Sequence, residues 1–184
     1  MKPYQVALIQ QQTRVIVDPK KRDEIIKENL DRIFELLDWT ALRLGAVKLA
    51  AFSEYGIIGQ YRPRTVEEWI DLAETIPGEV TERIGKKARE RGCTIVGNLY
   101  ERDEAWPGRL FNTSFIVGPE GKVLLKYRKN NGPNNLNTTY TGPGDVYSEY
   151  VERYGEDSMF PVVETDIGRL ACLNCTDVVF PEMA

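Results

Sequence analysis

Apolar residues fall into two rhythms along the first half of the chain. Gln5-Val-Ala-Leu-Ile-Gln10 is a short apolar run of the length expected for a strand buried on both faces. Ala46-Val-Lys-Leu-Ala-Ala-Phe52 and Cys93-Thr-Ile-Val-Gly-Asn-Leu-Tyr100 read the same way. Between the first two, Ile26, Leu30, Ile33, Leu37, Ala41 and Leu44 recur at spacings of three and four, which predicts a helix over about Asp23 to Leu44. Thr65-Val-Glu-Glu68 has the form of a capping box and predicts a short helix. Pro77-Gly78 opens another, with Val80, Ile84 and Ala88 on one face and Gly92 as its stop.

Beyond Tyr100 the rhythm changes. Phe111 to Val117 and Lys122 to Tyr127 are β-rich and joined by Gly118-Pro-Glu-Gly121, whose residues favour a turn. Asn130 to Thr141 is polar, and Asp145 to Asp157 reads as an acidic surface insertion. Val162-Val163 and Arg169 to Leu173 predict a hairpin around Asp166-Ile-Gly168. Pro181 suits the first turn of a helix, where its missing N–H is harmless. Strand–helix alternation followed by hairpins predicts an α/β layered fold, with helices covering a mixed sheet. The chain stops at Ala184 as that last helix should begin, so the domain is expected to run on.

Composition narrows the chemistry. A net charge of −4 without a basic stripe speaks against a nucleic-acid partner. No apolar run approaches the roughly 20 residues that span a bilayer, and Met1-Lys2-Pro3 leads straight into a strand, so the expected location is the cytoplasm. Three cysteines argue against a disulfide framework. Histidine is absent, which removes Ser-His-Asp and Cys-His catalysis and most metal sites. A general acid or base must then be Asp, Glu, Lys, Tyr or Cys.

Leu173-Asn-Cys175-Thr-Asp177 is the sharpest candidate. An apolar strand running into a cysteine before a proline-started helix places the sulfur at a strand–helix elbow. Helix-terminal N–H groups there favour a thiolate and hold an oxyanion. A buried, inert cysteine is the plain alternative. Cys172 and Cys175 also form a C-x-x-C pair, which offers a redox reading, although a separation of three in a strand points the sulfurs to opposite faces. One such pair without histidine does not close a zinc site. Glu54, at the carboxyl end of a strand, and Lys129, in Lys126-Tyr-Arg-Lys129, are open to the ordinary reading of solvated charges.

Three segments resemble the nitrilase (carbon–nitrogen hydrolase) superfamily. Leu49-Ala-Ala-Phe-Ser-Glu-Tyr55 is similar to its glutamate motif, with Ser53 where proline is common. Asn112-Thr-Ser-Phe115 through Gly118-Pro-Glu-Gly121 to Lys126-Tyr-Arg-Lys129 resembles the hairpin leading to its lysine. Ile167 to Glu182 is similar to its nucleophile motif, and Phe180-Pro-Glu182 sets the register so that Cys175, not Cys172, is the nucleophile. The resemblance implies a four-layer αββα sandwich, with residues 1–184 as the amino-terminal portion of one carbon–nitrogen hydrolase domain. It implies Glu54 as base, Lys129 as charge-stabilising partner and Cys175 as nucleophile, without cofactor or metal.

Many members carry a second glutamate between the lysine and the cysteine. Counting back from Gly144 in Tyr140-Thr-Gly-Pro-Gly144 places Asn137 there, which can orient a substrate but not take a proton. Thr176-Asp177 follows the nucleophile where nitrile-cleaving members typically place Trp-Glu, which is closer to the amidase and carbamoylase pattern. The expected substrate is a small linear amide, met by Asn137, Tyr140 and Thr176, and the expected assembly a homo-oligomer. A catalytically altered scaffold protein and a thiol-redox protein remain as alternatives.

Overall fold

The structure, a computed structural model, describes residues 3–61, 64–130 and 140–183. The apolar runs become the centre of a five-stranded sheet: β1 (Gln5–Ile9), β2 (Val47–Phe52), β3 (Thr94–Glu101), β4 (Phe111–Val117) and β5 (Val123–Arg128), in that spatial order. β1, β2 and β3 run parallel, and β4 and β5 follow as antiparallel neighbours. Parallel neighbours need crossovers. These are α1 (Arg22–Leu44) between β1 and β2, and α2 (Val66–Leu72) and α3 (Glu79–Arg91) between β2 and β3.

α1 lies over β1 and β2, and α3 over β3 and β4, so one sheet face is sealed by Ile26, Leu30, Ile33, Leu37, Val80, Ile84 and Ala88. Leu44, expected on the same stripe, is exposed because the helix overruns the sheet. Asn29 is buried in its stead. Its amide accepts from Arg14 N–H at 2.9 Å and donates to the carbonyls of Arg14 and Ile57 at 2.9 and 2.7 Å. The Ile57 bond ties α1 to the loop after β2. α2 begins with the expected capping box between Thr65 and Glu68, and α3 ends on Gly92 in the left-handed region. Gly85 of α3 approaches Gly121 in the β4–β5 turn so closely that a Cβ there would sit 2.4 Å from the Gly121 carbonyl oxygen.

On the opposite face, β6 (Val162–Thr165) and β7 (Gly168–Ala171) form the expected hairpin. It packs Val163, Leu170 and Cys172 on Ile116, Leu125 and Tyr127 of β4 and β5. Helices, large sheet and second sheet thus stack in the order of an αββα sandwich. Farther along that face, Val6 and Leu8 of β1 are exposed.

Two expectations are corrected. The acidic insertion holds a helix, α4 (Tyr147–Tyr154), and is not merely surface. Tyr150 is buried among Trp106, Phe111 and Met159, and Tyr154 accepts a 3.0 Å hydrogen bond from the Trp106 indole. After the nucleophile motif, the residues around Pro181 form 3₁₀ turns, Cys175–Val179 and Pro181–Met183, rather than an α-helix.

Candidate active site

Strand direction gathers the site. β2 and β5 both finish at the end of the sheet where β4 begins, so Glu54, Asn112 and Lys129 share one rim. β2 and β5 stand three strand spacings apart, about 14 Å, and the loop after β2 bridges that distance. Asn98 of β3 accepts from Tyr55 N–H at 3.2 Å, and Gly59 N–H returns to the Tyr55 carbonyl at 2.8 Å. Lys129 N–H donates to the Asn112 carbonyl at 2.8 Å, which extends the β4–β5 ladder to the site.

At this rim Lys129 Nζ donates to Glu54 Oε1 at 2.8 Å. The lysine side chain is 1% exposed and the glutamate 18%. An ammonium so deeply buried needs its counter-charge, because an isolated ion there is prohibitively costly. Asn112 Nδ2 donates to the same Oε1 at 2.8 Å and to the Tyr55 hydroxyl at 3.1 Å. Asn112 Oδ1 accepts from Asn98 at 2.7 Å and from Asn174 at 3.2 Å. Three buried amides, from β3, β4 and the strand exit before Cys175, thus join the Glu54–Lys129 pair to the turn that carries Cys175.

Cys175 opens the 3₁₀ turn Cys175–Val179 and is an exposed residue, while Cys93 and Cys172 are buried. Its φ of 52° and that of Tyr55, 60°, are the positive values among described non-glycine residues. Such backbone persists only where the surroundings enforce it, and it concentrates at functional sites. Asp177 is the enforcing group at the cysteine. It is fully buried, and its Oδ2 accepts from Asn174 N–H at 3.2 Å and from the Tyr127 hydroxyl at 2.7 Å. Burial, together with Asp177, pushes the Tyr127 hydroxyl well above its usual pKa, so it stays a donor. Burial pushes the Cys172 thiol up to about 12, which leaves almost no thiolate for exchange with Cys175.

Of the expected substrate contacts, Tyr140 is buried beside Lys129, with Nζ 5.8 Å from the ring centroid. Thr176 lies half-buried in the turn with Cys175, and Asn137 falls outside the described residues. Asn98, Asn112, Asn174 and Asp177 were not anticipated. The available signal was asparagine inside the otherwise apolar strands Gly97-Asn-Leu99 and Phe111-Asn-Thr113.

A second buried charge cluster backs the strand that carries Lys129. Arg128, 4% exposed, donates to Glu101 at 2.9 Å through both Nε and Nη2, and pairs with Asp103. Its guanidinium lies 4.0 Å above the Phe111 ring, with Tyr150 and Tyr154 of α4 beside it. Burial alone would raise the Glu101 pKa, but the Arg128 bonds and charge outweigh it and hold the carboxyl below its ordinary value. Among the described residues no group of acidic, histidine or cysteine side chains could hold a metal ion.

The family model described as Carbon-nitrogen hydrolase matches residues 5–184. Among curated proteins, the omega-amidase NIT2 of Xenopus tropicalis is 29% identical over 187 residues, covering 100% of this chain and 59% of the relative. Its Homo sapiens counterpart is 29% identical over 114 residues, covering 62% of this chain and 39% of the relative. Among solved structures, a carbon–nitrogen hydrolase from Helicobacter pylori matches with a TM-score of 0.72 at 17% identity, over 97% of this chain and 54% of that one. An amidase from Nesterenkonia sp. matches with a TM-score of 0.64 at 22% identity, over 97% and 57%. These likenesses are of fold, and the chain spans little more than half the length of either solved structure.

Proposed function

We propose that this chain, which belongs to the carbon–nitrogen hydrolase family, hydrolyses the C–N bond of a small linear amide through a cysteine acyl-enzyme. The observation that carries the reading is the buried Lys129–Glu54 pair, joined through Asn112 and Asn174 to the turn that presents Cys175. Among curated relatives, proteins named omega-amidase cover the whole chain, which supports an amide rather than a nitrile.

Glu54 takes the thiol proton as the Cys175 sulfur attacks the amide carbon. The carbonyl electrons move to oxygen, and the Lys129 ammonium faces the charge that develops there, with backbone N–H groups near Cys175 and Thr176. Glu54 returns its proton to nitrogen as the C–N bond breaks and ammonia leaves. It then takes a proton from water, whose oxygen attacks the thioester and releases the acid and the thiol. Asn137, where a second carboxylate is common, would orient the amide without exchanging protons, and Tyr140 and Thr176 contact the substrate.

We further infer that residues 1–184 are the amino-terminal share of one carbon–nitrogen hydrolase domain, supported by the 59% of the frog relative that they span and by the exposed Val6 and Leu8. The described helices include none long and apolar enough to cross a membrane. The cytoplasm and a homo-oligomeric assembly complete the proposal. The test is ammonia release from a series of primary amides by the intact protein and by Cys175→Ala. Activity that survives the substitution refutes the nucleophile.

A further inference from the structure

Tyr140 presents a buried hydroxyl that no described residue bonds. The residue is 8% exposed, and among the described residues no group pairs with its oxygen. Its place is fixed: Thr141 N–H donates to the Leu110 carbonyl at 2.6 Å, just before β4. The ring stands 6.4 Å from Tyr100 and 5.8 Å from Lys129 Nζ. Burial first, then the Glu54 charge, with Tyr100, Asp177 and Cys175 also acting on it, push the hydroxyl well above its ordinary pKa. It therefore keeps its proton at any working pH and can act only as a neutral O–H. A buried donor left without an acceptor is a substantial penalty in the empty site, and one that an incoming oxygen removes. Glu54, whose Oε1 is held by Lys129 and Asn112, makes no hydrogen bond with that hydroxyl.

We propose that the Tyr140 hydroxyl donates to the carbonyl oxygen of the scissile amide and joins the Lys129 ammonium and the backbone N–H groups in cradling the oxyanion. This rests on Cys175 as nucleophile. The hydrogen bond strengthens as the carbonyl oxygen gains charge, so its effect falls on turnover more than on substrate binding. The ring face meanwhile stays beside the ammonium, a contact that phenylalanine would keep. Tyr140→Phe thus removes the donor alone.

The experiment uses the intact protein with propionamide as substrate and propionaldehyde as inhibitor. The aldehyde accepts the Cys175 sulfur at its carbonyl carbon, and the π electrons pass to oxygen, which mimics the tetrahedral intermediate. Tyr140→Phe should lower kcat by ~10²-fold and weaken propionaldehyde inhibition by a similar factor, with KM little changed. If KM alone rises, the hydroxyl binds the ground state and the oxyanion role is overturned. If Cys175→Ala is inactive while Tyr140→Phe matches the parent in both assays, Tyr140 is overturned and the nucleophile stands. If Cys175→Ala is active, the nucleophile reading fails and this one with it.

Discussion

Replacing Lys129 by methionine keeps most of the length and apolar bulk of the side chain and deletes its ammonium group, with the hydrogen bond to Glu54. Lys129 is 1% exposed and Glu54 18%, and their 2.8 Å contact is the principal pairing of both. Removing one partner of a fully buried ion pair costs about 3–5 kcal/mol. Glu54 keeps the Asn112 amide and part of its surface in water, so the loss expected here is smaller, about 2–3 kcal/mol. Glu54→Gln added to Lys129→Met removes the stranded charge and should restore much of that stability, giving a favourable coupling energy in the cycle. Activity should behave oppositely: each single change lowers turnover by at least ~10²-fold, and the double change recovers none of it. Urea unfolding followed by circular dichroism reads the first quantity and ammonia release the second. A Lys129→Met protein with an unshifted urea midpoint and normal turnover would refute both the pairing energy and the role.

At neutral pH, iodoacetamide should label Cys175 alone, because Cys93 and Cys172 are buried. Cys172→Ala should keep most activity, and equal losses in the Cys172→Ala and Cys175→Ala proteins would revive the redox pair. Glu101 is held below its ordinary 4.5, so it binds fewer protons folded than unfolded. Its stabilisation is fully present above pH 4.5 and drains as pH falls through the lower folded value. Glu101→Gln should therefore lower stability at pH 7 by about 3 kcal/mol and flatten the acid limb of the urea-midpoint profile; an unchanged limb refutes it. Asn137→Glu should raise turnover or shift its pH profile, and identical activity at every pH removes Asn137 from the site.

What the chain announced and what it concealed divide along physical lines. Burial imposes a period, so α1 and the five strands of the large sheet are legible within a residue or two. Glu54 and Lys129 carry no period. Each is a charge at a strand end, indistinguishable by composition from a solvated one, and only the surrounding motifs single them out. The amides of Asn98, Asn112 and Asn174 meet across 76 positions of sequence, and nothing local reports that encounter. α4 is hidden in the sequence because its eight residues bury one side chain, Tyr150, too few to show a period. Pro181 suits a helix start, and it does open a turn, the 3₁₀ turn Pro181–Met183.

The scaffold that orients Glu54 is built from carboxamides, and the chain contains no histidine. Amides neither gain nor lose protons across the accessible range, and imidazole is the side chain whose unperturbed value lies near neutrality. No imidazole of residues 1–184 therefore titrates in the interval from about pH 5.5 to 8. An inflection in a rate profile within that window would not come from an imidazole of residues 1–184. Under the proposed mechanism, difference infrared spectroscopy of the carboxylate band could follow the Glu54 proton directly.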